Sequence, residues 1–429
     1  MKTKYYILLL LSMLSLTACM DKYTETSTVN SPIYMSYETL RSAVKSTSPQ
    51  TLANPGKIYF KDNYLFVVEK LSGIHILDLT TPANPKNIGF IEVPGCIDLA
   101  IKNNILFADS YVDLVAIDVS DISKIKEVNR VKNALAYTVP QINDKYRVKE
   151  VDKEKGVVIG WELVTEKREL EYNETPIYPM WDAYYTSNSY AELNAAAGGI
   201  SGSGFGKGGS MARFGLYDKY LYVVDNSQLT MFDVGTPGSP VNIGKQTVGW
   251  SIETMFIYDD HLFFGTTNGM LVYSLNVPTV PAYVSMFSHA TSCDPVVIQN
   301  GYAYITLRGG QTCHGDINRL DVVKLSSDYK TNQLVGSFNM TKPYGVGIEG
   351  NTLFVCDGEA GLKIYNAADK TKITDNLIAA FPGIKTYDVI PVNGYLFMIG
   401  EGGFYLYDYS NINDIKQISK IPVTPFYAD

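Results

Sequence analysis

The chain has 429 residues, and its 36 Lys and Arg against 44 Asp and Glu give a formal net charge of −8. No basic field exists to hold phosphates, so nucleic-acid partners are excluded on charge. With 46% hydrophobic and 19% charged residues the chain can bury a large core, and its 32 Tyr lean towards β structure.

Residues 1–18 read as a secretory signal peptide. Lys2 and Lys4 form the charged region, and Tyr5 to Leu16 supply an apolar stretch too short to span a bilayer. The stretch ends in Leu16-Thr17-Ala18-Cys19, which resembles the lipobox of bacterial lipoproteins. That resemblance implies a thioether lipid on Cys19, cleavage before it and acylation of the new terminus. The expected address is therefore the bacterial cell envelope, lipid-anchored through Cys19, with the outer membrane as the expected surface. Residues 19–51 are polar and Ser/Thr-rich and read as a lipidated tether with one short helix around Tyr37 to Val44.

From residue 52 onward one phrase recurs: a turn of Asp, Asn or Gly, then an apolar strand. These strands begin at Tyr64, Ile105, Tyr220, His261, Tyr302, Thr352 and Tyr395, in steps of 41, 115, 41, 41, 50 and 43. The period is 41, and the step of 115 is one period with 74 residues inserted. A second strand follows some 13 residues later and often closes on Asp, as at Asp78, Asp118, Asp233 and Asp408. Adding an inner strand before each turn and an outer one after a Pro-rich corner gives four strands per period. The prediction is an all-β fold over 52–429: a seven-bladed β-propeller of four-stranded blades, with one large insertion (134–211) between blades two and three. No Gly-His or Trp-Asp pair marks the blades, which sets aside the WD40 type. Gly73-Ile74-His75-Ile76-Leu77-Asp78 and Leu114-Val115-Ala116-Ile117-Asp118 resemble the third strand of the LVIVD-repeat propellers of bacterial secreted proteins and lipoproteins. Ser274 and Lys324 depart from that pattern, and the resemblance implies fold and address but no chemistry.

The insertion has two halves. Tyr146 to Val151 and Val157 to Val164 alternate apolar and polar residues around Asp152–Gly156 and predict a hairpin. From Pro176 to Ser210 no period is visible, which predicts a long loop. Its Gly-rich run 202–209 lacks the Walker spacing, because Gly208 stands where Ser or Thr must bind magnesium.

The four His, at 75, 261, 289 and 314, show no zinc-protease spacing, and no G-x-S-x-G elbow follows a strand. Polar residues instead collect at one end of the blades, the entrance face, where inner strands start and the second-to-third-strand hairpins turn. Lys57, Asp98, Arg213, Glu253, Asp294 and Asp388 start inner strands, and Glu69, Asp109, Asp225, Arg308, Asp357 and Glu401 sit in hairpins. Carboxylates crowded there repel unless Lys57, Arg213 or a cation offsets them, so no cofactor is called for, although a divalent cation at the funnel mouth would fit. The insertion and an extended hairpin in blade five are expected to wall a cleft over this face, bringing Trp181, Tyr184, Tyr185, Arg308 and His314 near Asp98, Glu253 and Asp294. Cys293 and Cys313, on the entrance side of blade five, are expected to form a disulfide, with Cys96 and Cys356 as buried thiols. Two functions fit this pattern. One is a non-catalytic binding or scaffold propeller for an envelope protein or glycan. The other is a polysaccharide lyase or hydrolase with Asp98, Glu253, Asp294 and Asp388 as acid, base or metal ligands.

Overall fold

The computed structural model describes residues 22–171, 207–208, 210, 212–289, 295–310 and 316–424. They form two compact units, one of 22–35 with 139–171, the other of the remaining described residues.

The larger unit consists of antiparallel four-strand meanders in chain order. The first is Pro55–Lys61, Tyr64–Glu69, Gly73–Asp78 and Lys86–Glu92, and the second is Leu99–Lys102, Ile105–Ser110, Asp113–Asp118 and Lys126–Val131. The third runs over Phe214–Tyr217, Tyr220–Val224, Gln228–Asp233 and Val241–Thr247. The fourth has Ile252–Tyr258, His261–Thr266, Gly269–Ser274 and Ala282–Ser288, and the fifth Val296–Gln299, Tyr302–Leu307, Arg319–Lys324 and Gln333–Asn339. Val346–Glu349, Thr352–Cys356, Leu362–Asn366 and Leu377–Phe381 make the sixth, and Thr386–Val392, Tyr395–Gly400, Gly403–Asp408 and Lys416–Pro422 the seventh.

Every second strand begins at the residue where the repeat phrase begins in the sequence. The turn ahead of it explains why. Each two-residue connection opens in the left-handed region, at Asp62, Asn103, Asp218, Asp259, Asn300, Gly350 and Asn393. Asp, Asn and Gly tolerate that backbone best, and such turns match the twist of the flanking strands.

The Asp that closes the third strand also has a local task. Asp78, Asp118, Asp233 and Asp408 accept the backbone N–H two residues on, at 2.8, 2.9, 2.8 and 2.9 Å, and so turn the chain into the corner before the outer strand. Ser274 makes the same bond to Asn276 at 3.2 Å, so the departure from Asp in the fourth sheet preserves the turn. Lys324 has no acceptor to offer. In its corner Ser326 and Asn332 hydrogen-bond backbone N–H groups instead.

First strands pack against one another in chain order, and the first sheet packs in turn against the seventh. Among the described residues no strand is exchanged at that junction. Leu52 bridges Val423, the Thr424 N–H donates to the Leu52 carbonyl at 2.7 Å, and the Phe60 and Phe397 rings stack 4.8 Å apart. Leu65, Leu77, Ile390, Phe397 and Phe404 bury the seam.

In the smaller unit the expected hairpin does not form. Val157–Glu171 pairs over 14 residues with Lys22–Met35, a strand from the stretch read as tether, and Arg147–Val148 adds in parallel on its other side. The long partner wins because it satisfies a full ladder of backbone groups, where 146–151 offers only a few. Buried Asn30 locks the arrangement, donating to the carbonyls of Asn143 and Tyr146 at 2.9 Å each.

Because Phe397 is 3% exposed between the first and last sheets, Phe397→Ala should cost about 3–5 kcal/mol. Exposed Leu334→Ala should stay within about 0.5 kcal/mol. Denaturant melting checks both, and separate transitions for the early and late sheets would contradict the closed circuit.

Candidate functional site

Among the described residues, the space inside the circuit of first strands is occupied by the chain itself. The last residues of the insertion run along it. Lys207 and Gly208 pair antiparallel with Phe60 and Tyr59 of the first sheet, and the Lys207 ammonium donates to the Pro391 carbonyl of the seventh at 2.5 Å. Both contacts lie near the far ends of those first strands. Ser210 then meets the seventh and sixth sheets: its N–H and hydroxyl donate to Asp388 Oδ1 at 3.1 and 3.2 Å, and its oxygen accepts from the Val346 N–H at 2.8 Å. Gly345 permits this approach, since a Cβ there would stand 2.4 Å from Asp388 Oδ1. The Ala212 carbonyl accepts from Met255 of the fourth sheet at 2.9 Å, and the Arg213 N–H donates to Asp98 Oδ2 at 2.6 Å. Lys207, Gly208, Ser210, Ala212 and Arg213 are thus a strap inside the sheets and not part of an outer loop.

Asp98 is the knot of the strap's upper end. Its Oδ2 takes the Lys57 ammonium at 2.9 Å and the Arg213 and Phe214 N–H groups, while its Oδ1 takes the Leu99 N–H at 2.8 Å. Lys57 is buried, and desolvation lowers its pKa, with Asp98 opposing that effect and the Arg213 guanidinium adding to it. Beneath, Asp109 Oδ1 accepts the Ile97 and Asp98 N–H groups at 2.8 and 2.9 Å, and burial raises its carboxyl to about 6. Asp388 is 2% exposed and raised to about 7 by burial, and its Oδ2 has no hydrogen-bond partner among the described residues.

The hairpin carboxylates share one structural role that the sequence did not disclose. Glu69 accepts the N–H groups of Ala53 and Asn54, Asp109 those of Ile97 and Asp98, and Asp357 those of Thr341 and Lys342. Each pins the segment that leads into its own sheet's first strand. Asp225 instead caps Ser227 and Gln228 within its hairpin, and Glu401 is exposed, 3.6 Å from Lys385.

Of the residues expected to bind, Asp98 is therefore committed through both oxygens and Asp388 through Oδ1 alone, at 4% and 2% exposure. Glu253 is partly buried near the start of the fourth sheet. Arg308 is buried with its guanidinium 4.0 Å over the Tyr344 ring, which in turn meets Tyr387 edge-on at 5.7 Å. That ladder across three sheets, and Trp250 at 76% exposure in the loop entering the fourth, escaped the sequence reading because neither has a repeat spacing. Asp294, His314, Trp181, Tyr184, Tyr185, Cys19 and the pair Cys293 and Cys313 lie outside the described residues. Cys96 and Cys356 are buried free thiols. Among the described residues no three of His, Cys, Asp or Glu gather where they could hold a metal.

The sheet topology defines an all-β protein of repeated four-strand antiparallel meanders. The LVIVD repeat family model matches residues 97–133 and 208–247, the second sheet and the third, so the chain carries LVIVD repeats and one repeat equals one meander. Superposition finds the computationally designed Ika8 protein (8% identity, 89% of this chain and 91% of that one, TM-score 0.49). It also finds Kluyveromyces lactis Hsv2 (12%, 86% and 100%, 0.47) and BamB from Moraxella catarrhalis (12%, 86% and 98%, 0.44). No curated protein matches the chain.

The two raised carboxyls set a pH dependence. Native Asp109 and Asp388 hold protons up to about 6 and about 7, which unfolded carboxyls release near 4. Stability should therefore fall as pH rises from about 4 to about 7, by up to about 1.4 kcal/mol per pH unit per group, and level off above. The lowered turn carboxyls Asp78, Asp118, Asp233 and Asp408 act with opposite sign only below that window. Asp388→Asn should flatten the upper part of the slope in urea midpoints taken between about pH 5 and about pH 8. An unchanged slope would show that Asp388 is not its source.

Proposed function

We propose that the chain is a lipid-anchored lipoprotein of the bacterial envelope, its meanders the blades of a seven-bladed β-propeller that binds a protein or glycan partner through the entrance face. One observation carries this reading: the space a catalytic funnel would use holds Lys207, Gly208, Ser210, Ala212 and Arg213. A glycoside-cleaving site needs two carboxyl groups some distance apart in an open pocket. Asp98 and Asp388 meet backbone donors instead, which weighs against the lyase or hydrolase alternative and against a cation held between them. Fold alone assigns no chemistry. The entrance face does offer Trp250, and exposed Trp is the residue type that most often anchors a partner.

Two experiments test the reading. Cys19→Ser should move the protein from the membrane fraction to the soluble one, because the acyl chains supply the membrane affinity. Cys19→Ser protein still cleaved and membrane-bound would remove the anchor. A photo-crosslinker at position 250 should trap an envelope protein or glycan in cells. Trp250→Ala should weaken that partner's binding by about 2 kcal/mol or more with an unchanged melting temperature. Crosslinks forming only from the opposite end, for example at Asn103, would move the binding face.

A further inference from the structure

Residues 261–293 contain no Asp, Glu, Lys or Arg, a run of 33 in a chain that is 19% charged. The run includes the third and outer strands of the fourth sheet, Gly269–Ser274 and Ala282–Ser288, and the corner between them. Four large apolar side chains stand out from it: Val277, Val280, Tyr283 and Met286 are 57, 62, 59 and 40% exposed. Ala282–Ser288 is the last strand of its sheet, so its inner edge pairs with Gly269–Ser274 and no described strand pairs with its outer edge.

Natural sheets blunt such edges, most often with charge. The outer strands of the first, second, third and seventh sheets carry such charges in Lys86 and Glu92, Lys126, Lys245, and Lys416 and Lys420. The fifth and sixth lack charge but expose one large apolar side chain each, Leu334 and Leu377. The fourth combines an uncharged strand with an apolar surface.

The first sheet shows what an outer edge of this fold accepts. Lys45–Thr47 adds to it antiparallel, pairing with Phe90, Ile91 and Glu92, and the Lys45 ammonium lies 3.0 Å from Glu92. Gly73 faces Glu92 across the first sheet as Gly269 faces Ser288 across the fourth, so Met286, Phe287 and Ser288 are the equivalents of the paired residues. Ser288 stands where Glu92 selects a lysine. A strand carrying charge would have to bury it against Tyr283 and Met286 without a partner, so the occupant is uncharged and apolar. The edge itself meets that description.

We infer that the outer edge of the fourth sheet is a dimerisation edge, pairing antiparallel with the same edge of a second copy of this chain. The two-fold arrangement uses one self-complementary patch on both copies and closes at two. It leaves the entrance face free, so its success or failure is independent of the partner proposed there.

Sedimentation velocity of the full chain from about 1 to about 100 µM should show a monomer–dimer equilibrium. Tyr283→Lys and Met286→Lys should each weaken it at least about tenfold, since each places two ammonium groups in an uncharged seam that offers them no counter-charge. Their melting temperatures should match the unaltered chain, as both side chains are exposed. Lys45→Glu, at the edge already covered, should leave the dimer unchanged. Added salt should tighten it, because copies of net charge −8 repel. An unaltered chain that stays monomeric throughout overturns the inference, even if the edge captures a foreign strand instead. A dimer that both lysine substitutions leave intact overturns it as well.

Discussion

The carboxylate of Asp98 is the point on which the sheets' inner ends converge. It takes an ammonium from the first sheet, a backbone N–H from its own strand and two more from the start of the third. At 4% exposure it needs those donors, because a buried polar group left unpaired is costly. The fold must therefore bring Lys57 and residues 213–214 to it, and the strap preceding Arg213 follows.

That strap answers a problem of any circuit of sheets. First strands present one unpaired edge to the space they enclose, and their backbone groups need partners there. Lys207, Gly208, Ser210 and Ala212 supply some of them, touching the first, seventh, sixth and fourth sheets in turn. Part of the insertion between the second and third sheets is in this sense part of the core. The same economy recurs at the corners, where Glu69, Asp109 and Asp357 spend their oxygens on backbone N–H groups. Acidic residues clustered at one end of a repeat fold thus serve geometry first.

The described surface gives the molecule its contrasts. Asn87 Oδ1, Arg319 Nε, Asp388 Oδ2 and the Tyr407 hydroxyl are buried without a partner among the described residues, and the rim of the fourth sheet carries four exposed large apolar side chains, Val277, Val280, Tyr283 and Met286.

The all-β class, the strand starts and the turns were legible in the sequence because they rest on local physics. Asn300 or Asp62 can adopt a left-handed turn in any context, and Asp118 reaches only two residues along its own chain. Strand alternation likewise depends on neighbours in sequence. The partner of Val157–Glu171, the burial of Asp98 and Asp388 and the places of Lys207, Ser210 and Arg213 depend on contacts between residues more than 100 apart, as Arg213 is from Asp98 and Lys207 from Pro391. No period marks them. A Gly-rich stretch reads as a loop until a first-strand edge stands beside it, and a carboxylate reads as a ligand until the backbone donors it caps are in place. Only the tertiary structure decided those, because the energy of a buried polar group is set by the atoms that surround it and not by those that precede it in the chain.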